Sequence, residues 1–331
     1  MPLFSDILDQ KNIIEHMKKS VETGTISHGY IISGEKGMGK KLLADTYSMA
    51  IQCENDDQRP CLKCHSCKQA LSRNHPDIKW VWHEKPGSIS VEEVRAQIVN
   101  DIGIKPYSSD YKIYIVDDAE KMTVAAQNAL LKTIEEPPAY GIIILLCKNR
   151  EMLLDTIISR CVVLDVKPVL SSEIKNYLIR NCQVPDYKAE EITNFAMGNL
   201  GKAIDMAQSE EYENIRKIVT ELLKDIENKS AVSINTAVKD IGTYKDKIDE
   251  VLDSMLLWFR DVLLYKSSGC DEKLMFAEYK ENIKRQSQEY SFKNLDQVCK
   301  EIDRFKLRLA SNVNFDIGLE VLLIKIRDLS R

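Results

Sequence analysis

The chain of 331 residues is long enough for two or three domains, and its 44% hydrophobic and 29% charged residues are ordinary for a globular protein. Its net charge of −5 excludes a general attraction to DNA or membranes, and the lack of any run of eighteen apolar residues excludes a membrane-spanning helix. The start, MPLFSDILDQ, does not resemble a signal peptide, so we expect a cytoplasmic protein whose nine cysteines are metal ligands or core thiols rather than disulfides.

The first half of the chain alternates short apolar runs with helical patterns, which indicates a parallel β-sheet covered by helices on both faces. The predicted strands are 30–32, 78–81, 113–116 and 142–146. All nine prolines precede residue 186, and most glycines lie at or before Gly201. The rest of the chain is therefore predicted to be nearly all helical, with amphipathic spacing from Ile248 to Leu263 and again from Ile302 to Ile326.

A phosphate-binding loop with one substitution follows the first predicted strand. The pattern G-x-x-x-x-G-K-[ST] is met by Gly34, Gly39 and Lys40, and Gly37 adds further backbone freedom. In such loops the backbone N–H groups surround phosphate oxygens, and the lysine neutralises phosphate charge. Lys41 stands where a hydroxyl would ligate Mg²⁺, and an ammonium group has no acceptor for a cation. We therefore expect a nucleotide site that lacks one metal ligand.

Four cysteines lie close together with the spacing C-x7-C-x2-C-x2-C: Cys53, Cys61, Cys64 and Cys67. Four thiolates at this spacing can surround Zn²⁺, and a site with four protein ligands is structural rather than catalytic. Iron–sulfur ligation and unligated thiols are the alternatives, although the full spacing does not fit an iron–sulfur cluster. We interpret the neighbouring His65 as a bystander.

Two helix starts are marked by their capping residues. Ser90 and Glu93 form a capping box, and Ile89 and Val94 are placed to form its hydrophobic staple. The second start is predicted from Ser172, because apolar residues with helical spacing follow it.

The predicted strand 113–116 ends in two carboxylates, Asp117 and Asp118. The C-terminal edge of a parallel sheet is where ligands bind. Asp117 would hold Mg²⁺ through water, and Asp118 stands where a glutamate normally orients the attacking water. Because Asp118 is one methylene shorter, and a misplacement on the order of 1 Å can cost about a hundredfold in rate, hydrolysis is disfavoured. A solvated acidic turn is the alternative interpretation.

Two further segments make a family resemblance specific. The run AQNALLKTIEEPP at 126–138 follows the acidic strand, and Ser159-Arg160-Cys161 comes later. With these motifs in order, the first two hundred residues or so resemble bacterial clamp-loader AAA+ subunits, and the remainder matches them by helical character. In that family the arginine of Ser-Arg-Cys reaches the γ-phosphate of the neighbouring subunit. Arg160 is thus expected to be an arginine finger used in trans, with a surface cation as the alternative.

The resemblance implies a fold that is α/β plus all-α. A RecA-like AAA+ domain with a parallel sheet would span 1–168 and contain a zinc module at 53–67. A small helical lid at 169–207 and a C-terminal helical collar at 208–331, used for oligomerisation, would follow. The implied cofactor is structural Zn²⁺. The implied partners are the ATPase and other subunits of a hetero-oligomeric clamp loader, the sliding clamp, and primer–template DNA reached through the complex, with no membrane.

Four positions depart from the pattern of the family's ATPases. Two of them, Lys41 and Asp118, are described above. Cys147 stands where those ATPases have a polar residue that senses the γ-phosphate, and Gly201 stands where their lid motif G-S-x-R has its arginine. Asn149 is at best a shifted substitute for the sensor, and Lys202 is next to the missing arginine. Because Arg160 is kept, we expect a non-catalytic subunit that completes a partner's ATP site. Binding of ATP and Mg²⁺ to its own site is not favoured, although the retained Gly39 and Lys40 leave nucleotide binding open.

Two other functions are consistent with parts of the sequence. The chain could be a working ATPase subunit in which Asp117, water and nucleotide alone hold Mg²⁺. It could also be a zinc-based nucleic-acid-binding module that uses residues 53–68 and their lysines, which the acidic net charge disfavours.

Overall fold

The computed structural model describes residues 3–85, 87–271, 274–309 and 314–330. The chain divides into two compact units. The first contains Met1–Gln183 and Ala196–Ile204, and the second contains Val184–Phe195 and Asp205–Arg331. In the part that the structure describes, no helix is both long and apolar enough to cross a bilayer.

The first unit is built on a five-stranded parallel sheet, with strands β1 at Gly29–Ser33, β2 at Ile78–Val81, β3 at Lys112–Val116, β4 at Gly141–Cys147 and β5 at Val162–Asp165. The strand order is β2-β3-β4-β1-β5, and all neighbours run parallel. The four predicted strands are confirmed within one residue or so. The sequence did not predict β5, because this edge strand is short, half-exposed and ends in an aspartate.

Helices cover both faces of this sheet, as predicted. The helices of this unit are α1 at Lys11–Thr23, α2 at Lys40–Gln52, α3 at His65–Leu71, α4 at Val91–Val94, α5 at Val124–Glu135, α6 at Asp155–Ile158 and α7 at Ser171–Cys182. A π-helical turn, Arg95–Val99, extends α4. One core lies under α1 and α2 and includes Met17 and Leu43. The other lies under α4 and α5 and includes Val94 and Leu130. This α/β architecture confirms the predicted RecA-like AAA+ fold.

The capping box at Ser90 is confirmed. The Ser90 hydroxyl accepts a hydrogen bond from the Glu93 N–H at 3.3 Å, and the Glu93 carboxylate accepts one from the Ser90 N–H at 2.6 Å. Ile89 and Val94 are both fully buried, as a hydrophobic staple requires.

The predicted cap at Ser172 is wrong. Helix α7 begins at Ser171, its N-cap is Leu170, and no side chain caps it. The Asp9 carboxylate, far away in sequence, accepts a hydrogen bond from the Leu170 N–H at 2.7 Å. This anchor fixes the entry to the helix, and a local pattern cannot reveal it.

The remaining helices are α8 at Asp186–Ala196, α9 at Leu200–Gln208, α10 at Glu210–Leu223, α11 at Ala231–Gly242, α12 at Ile248–Ser268, α13 at Lys280–Glu289, α14 at Phe292–Leu309 and α15 at Phe315–Asp328. The predicted helical character of the second half is therefore confirmed. In α12 most residues of the predicted apolar stripe are buried, whereas Leu263 is 41% exposed. The pattern from Ile302 to Ile326 belongs to two helices rather than one. Helix α15 starts anew because the Asn314 side chain accepts a hydrogen bond from the Ile317 N–H.

Candidate nucleotide and metal sites

The phosphate loop lies at the C-terminal edge of the sheet, between β1 and α2. Ser33 pairs with Cys147 at the ends of β1 and β4, and the Gly34 N–H donates to the Cys147 carbonyl at 3.1 Å. Asp117 directly follows β3, the strand next to β4. The structure therefore brings together the glycines, Lys40 and the acidic residues that the sequence singled out.

Two lysines occupy the acidic side of this site. The Lys41 ammonium lies 2.6 Å from the Asp117 carboxylate, and the Lys121 ammonium lies 2.8 Å from the Asp118 carboxylate. Burial alone would raise the pKa of Asp118, but the bond from Lys121 and the nearby lysine charges lower it below its usual value. Asp117 thus has a cation from its own chain beside it, at the position where a nucleotidase would place Mg²⁺.

Lys40 binds to its own loop. Its ammonium donates to the carbonyl oxygens of Gly34 and Glu35. Burial lowers the pKa of Lys40, although the charges of Glu120, Asp117 and Asp118 oppose this. Sequence reasoning missed Glu120, whose Oε2 is buried without a hydrogen-bond partner among the residues that the structure describes. A third acid shortly after the strand was the signal that could have identified it.

The segment that replaces the family's lid arginine packs directly on the phosphate loop. The Asn199 side-chain amide donates to the Lys36 carbonyl at 2.7 Å, and the Gly201 N–H donates to the Gly37 carbonyl at 3.0 Å. A Cβ at Gly201 would lie 2.5 Å from that same Gly37 oxygen. An arginine at position 201 is therefore incompatible with this packing. Both bonds end on carbonyl oxygens, so neither of them occupies an N–H group of the loop.

The position of the γ-phosphate sensor carries a buried thiol. Burial, and secondarily the charge of Glu120, raises the pKa of Cys147 to about 11, so the group is neutral near pH 7. Lys148 faces Glu35 at 3.5 Å. Asn149 accepts a hydrogen bond from the Glu151 N–H at 3.0 Å and caps the following turn. Asn149 is therefore engaged locally and is not placed as a substitute sensor.

Arg160 lies at the opposite end of the sheet from the phosphate loop. It comes just before β5, whose first residue, Val162, pairs with Tyr30 near the start of β1, whereas the loop follows the end of β1. At a rise of about 3.3 Å per strand residue, this separation is on the order of 15 Å. Arg160 is 3.0 Å from the Glu135 carboxylate and donates to the Thr156 carbonyl at 2.9 Å. Its side chain is 40% exposed and remote from its own phosphate loop.

The next residue, Cys161, is packed against β1. A Cβ at Gly29 would lie 2.8 Å from the Cys161 sulfur. Burial raises the pKa of Cys161 to about 11, so this thiol is a small apolar packing group. The contact ties the turn that carries Arg160 to the sheet.

The four predicted cysteines converge on one point. The sulfurs of Cys53, Cys61, Cys64 and Cys67 all lie within 4.8 Å of one another. A zinc ion with Zn–S bonds of about 2.3 Å has sulfur–sulfur edges of about 3.8 Å, so the arrangement fits a tetrahedral metal. His65, at the start of α3, is not part of the set.

Backbone N–H groups support these sulfurs. The Cys64 N–H lies 3.3 Å from the Cys61 sulfur, and the Cys67 N–H lies 3.4 Å from the Cys64 sulfur. Burial raises the pKa of Cys53 and of Cys67, whereas the N–H groups of Lys63 and Cys64 lower the pKa of Cys61 to about 6. Such donors stabilise thiolate, which is the form that binds metal.

Comparison with known proteins identifies the family. The family model for "DNA polymerase III, delta subunit" matches residues 9–170, and the model for "DNA polymerase III, delta subunit, C terminal" matches residues 215–328. Together they match well over half of the chain. The chain belongs to this DNA polymerase III family. The predicted resemblance to clamp-loader subunits is thereby confirmed.

The individual relatives are DNA polymerase III subunits or a protein related to one. The chain is 28% identical to DNA polymerase III subunit delta′ of Bacillus subtilis, over 96% of each chain. It is 25% identical to DNA polymerase III subunit tau of the same organism, over 98% of this chain and 61% of that one. A solved structure, a DNA polymerase III gamma subunit-related protein from Thermotoga maritima, is 17% identical with a TM-score of 0.46, and the alignment covers 95% of this chain and 99% of that one.

Proposed function

We propose that this chain is a non-catalytic, delta prime-type subunit of the DNA polymerase III clamp loader. It would support ATP-driven loading of the sliding clamp on primed DNA within a hetero-oligomer that contains gamma or tau subunits and a delta subunit. In this proposal Arg160 completes the ATP site of a neighbouring subunit, and the chain's own site hydrolyses no ATP.

The observation that carries the proposal is the contrast between the two ends of the sheet. At one end, Lys41 neutralises Asp117, Cys147 replaces a polar sensor, and Gly201 packs where the lid arginine would stand. At the other end, Arg160 is half-exposed and too far away to serve its own loop. This placement keeps Arg160 away from its own loop and supports a role at nucleotide held by another subunit. The match to a delta′ relative over nearly the whole chain supports the same assignment.

The alternative is a working ATPase subunit of the gamma or tau type. It is supported by the similarity to tau and by the retained Lys40. This alternative requires the salt bridge between Lys41 and Asp117 to break, because the Asp117 carboxylate would have to hold the metal. This alternative predicts ATP turnover by the isolated chain that is lost in Lys40→Ala.

The proposal also includes a structural zinc ion on Cys53, Cys61, Cys64 and Cys67, and the three-domain division at residues 168 and 207. The support for zinc is the convergence of four sulfurs with N–H donors aimed at them. A metal held there would stabilise the loop between α2 and α3 and would take no part in catalysis.

The first test is an ATPase assay on the isolated chain and on the complex reconstituted with its partner subunits, the clamp and primed DNA. We expect no turnover by the isolated chain. Replacing Arg160 by Ala should slow hydrolysis at the neighbouring site by roughly 10³-fold or more, because a finger supplied in trans is worth about 10³–10⁵ in rate. The loss in total turnover is limited to the share of that one site.

Arg150→Ala is the matched control. Arg150 is a similarly exposed arginine of the same unit, paired with Asp165, and its loss should leave turnover unchanged. Robust hydrolysis by the isolated chain, or equal turnover in complexes that contain the unchanged chain and the Arg160→Ala variant, would contradict the proposal. Assembly of each variant complex is checked by size-exclusion chromatography, so that a failure to assemble is distinguished from a loss of catalysis.

A further inference from the structure

A groove runs along β2, the edge strand of the sheet. Its volume is about 760 Å³, within the roughly 300–1,000 Å³ that is typical of ligand sites. All residues from Ile78 to Trp82 line it, and its walls come from α2 and the end of α3 on one side and from residues 96–101 on the other. Because β2 pairs only with β3 among the described strands, the groove follows an open sheet edge.

The backbone at this edge offers hydrogen-bonding groups. The Ile113 N–H donates to the Asp77 carbonyl, so residues 77, 79 and 81 face β3, whereas 78, 80 and 82 face outward. The Trp82 N–H donates to the Gln97 side-chain oxygen at 3.0 Å, and the Gln97 side-chain nitrogen donates to the Trp82 carbonyl at 2.7 Å. The primary amide of Gln97 thus pairs with the strand in both directions, as the main chain of a sixth strand would.

The surroundings of Gln97 distinguish this pairing from an ordinary surface contact. Gln97 lies in the π-helical turn Arg95–Val99, and such turns are rare and frequent at functional sites. Trp82 is 60% exposed beside the pairing. Two residues before it, the backbone of Trp80 faces outward, and the Arg73 guanidinium lies over the Trp80 ring at 4.2 Å. The amide-binding strand edge therefore carries two aromatic side chains, Trp80 and Trp82.

Three cationic side chains, Lys41, Arg73 and Lys79, line the groove against two carboxylates, Asp45 and Asp101, on a chain with a net charge of −5. Lys79 pairs with Asp101 at 2.6 Å, but Asp101 also pairs with Lys112 at 3.0 Å and accepts a hydrogen bond from the Tyr114 hydroxyl. One carboxylate is thus shared by two ammonium groups. An acidic side chain of a bound partner would be attracted to the excess positive charge near Lys79, which favours an acidic partner.

We propose that this groove binds an extended peptide segment with an acidic side chain, which adds as a sixth strand at β2 and replaces the Gln97 amide on Trp82. Main-chain hydrogen bonds to Trp80 and Trp82 supply affinity, and Lys79 selects the acidic side chain. The inference rests on the sheet edge and is independent of the proposed arginine finger.

The probe is the N-acetylated, C-amidated hexapeptide TVEVTV, titrated into the full chain by isothermal calorimetry. Hydrogen exchange measures protection of residues 78–82. We expect binding with a Kd below about 1 mM, protection of those residues, and tighter binding by Gln97→Ala because a competing amide is removed. Lys79→Ala, and separately the peptide TVKVTV, should weaken binding about tenfold through loss of one charge-assisted contact.

The matched controls are Gln288→Ala and Lys300→Ala, exposed helical positions of the second unit, which should bind the peptide as the unchanged chain does. The proposal is overturned if neither the unchanged chain nor Gln97→Ala binds the peptide at about 1 mM, or if protection appears away from residues 78–82. It is also overturned if the oligonucleotide (dT)10 binds this groove and the peptide does not, since that result would assign it to single-stranded nucleic acid. Thermal unfolding of each variant checks that it is folded.

Discussion

At the candidate nucleotide site, the lysine at position 41 has two effects. It takes the place of the Ser or Thr whose hydroxyl would ligate a metal, and its ammonium lies 2.6 Å from the Asp117 carboxylate. The sequence predicted the first effect, since the motif position alone shows it. The second depends on how β1 and β3 both pair with β4, which lies between them in the sheet, and no local pattern contains this.

We expect ATP to bind the unchanged chain no more tightly with Mg²⁺ than without it. In Lys41→Thr the hydroxyl adds a ligand and Asp117 is released, so Mg²⁺ should tighten ATP binding about tenfold or more, equivalent to roughly 1.4 kcal/mol. Calorimetric titration with and without Mg²⁺ measures this difference. Lys36→Thr, an exposed position in the same loop, is the control and should behave as the unchanged chain does. Mg²⁺-dependent tightening in the unchanged chain would contradict the role of Lys41.

At the scale of elements, the start of α9 covers the phosphate loop. The sequence identified Gly201 only as the place of a missing arginine. The structure adds that this glycine touches the Gly37 backbone and that Asn199 bonds to the carbonyl of Lys36. The glycine at position 201 therefore allows a contact with the Gly37 backbone and at the same time lacks the arginine that would contact nucleotide.

Gly201→Ala should separate this segment from the loop, because the new Cβ would lie 2.5 Å from a backbone oxygen that cannot move away cheaply. We expect a loss of about 1–3 kcal/mol in the free energy of unfolding and faster hydrogen exchange at residues 36–40 and 198–203. Gly242→Ala is the control, since nothing lies within 4 Å of its Cβ position. Unchanged exchange in Gly201→Ala would show that the contact is not a constraint in solution.

The secondary structure was predicted well where the signal is local and failed where it is not. The continuous apolar runs gave four strands, and Ser90 with Glu93 gave a helix start. Strand β5 was missed because its apolar run is short, half-exposed and followed by an aspartate. The start of α7 was misplaced because Asp9, a side chain from another part of the chain, anchors it.

At the scale of the whole molecule, the cysteine cluster belongs to the first compact unit, and helices α10–α15 belong to the second. The cysteine cluster joins α2 to α3, and its last part leads to Arg73 and the wall of the β2 groove. A structural metal there is expected to order the segment from Cys53 to Arg73 and to leave the second unit unaffected.

We expect the purified chain to contain one zinc ion, measured by inductively coupled plasma mass spectrometry, and Cys64→Ser to lose it. Hydrogen exchange should then rise at residues 53–75 and stay unchanged in α10–α15, because a structural zinc site supplies folding energy to the loop that holds it. Cys182→Ser, a thiol outside the cluster, should keep the metal. Iron, or no metal, in the unchanged chain would refute zinc at this site.

The sequence by itself determined the parts whose meaning lies in spacing along the chain. These are the phosphate loop at Gly34, the carboxylates after β3, the four cysteines, and Ser-Arg-Cys at Arg160. Residues close in sequence are kept close in space by the chain, so their order and spacing largely specify the local geometry of each motif.

Only the tertiary structure decided how these parts are used. It placed Lys41 on Asp117, packed Gly201 on Gly37, and put Arg160 at the end of the sheet opposite its own loop. It also left β2 with an edge where Gln97 takes the place of a strand. Each of these contacts joins residues from different elements, and strand order and packing of the folded chain, rather than spacing, bring them together.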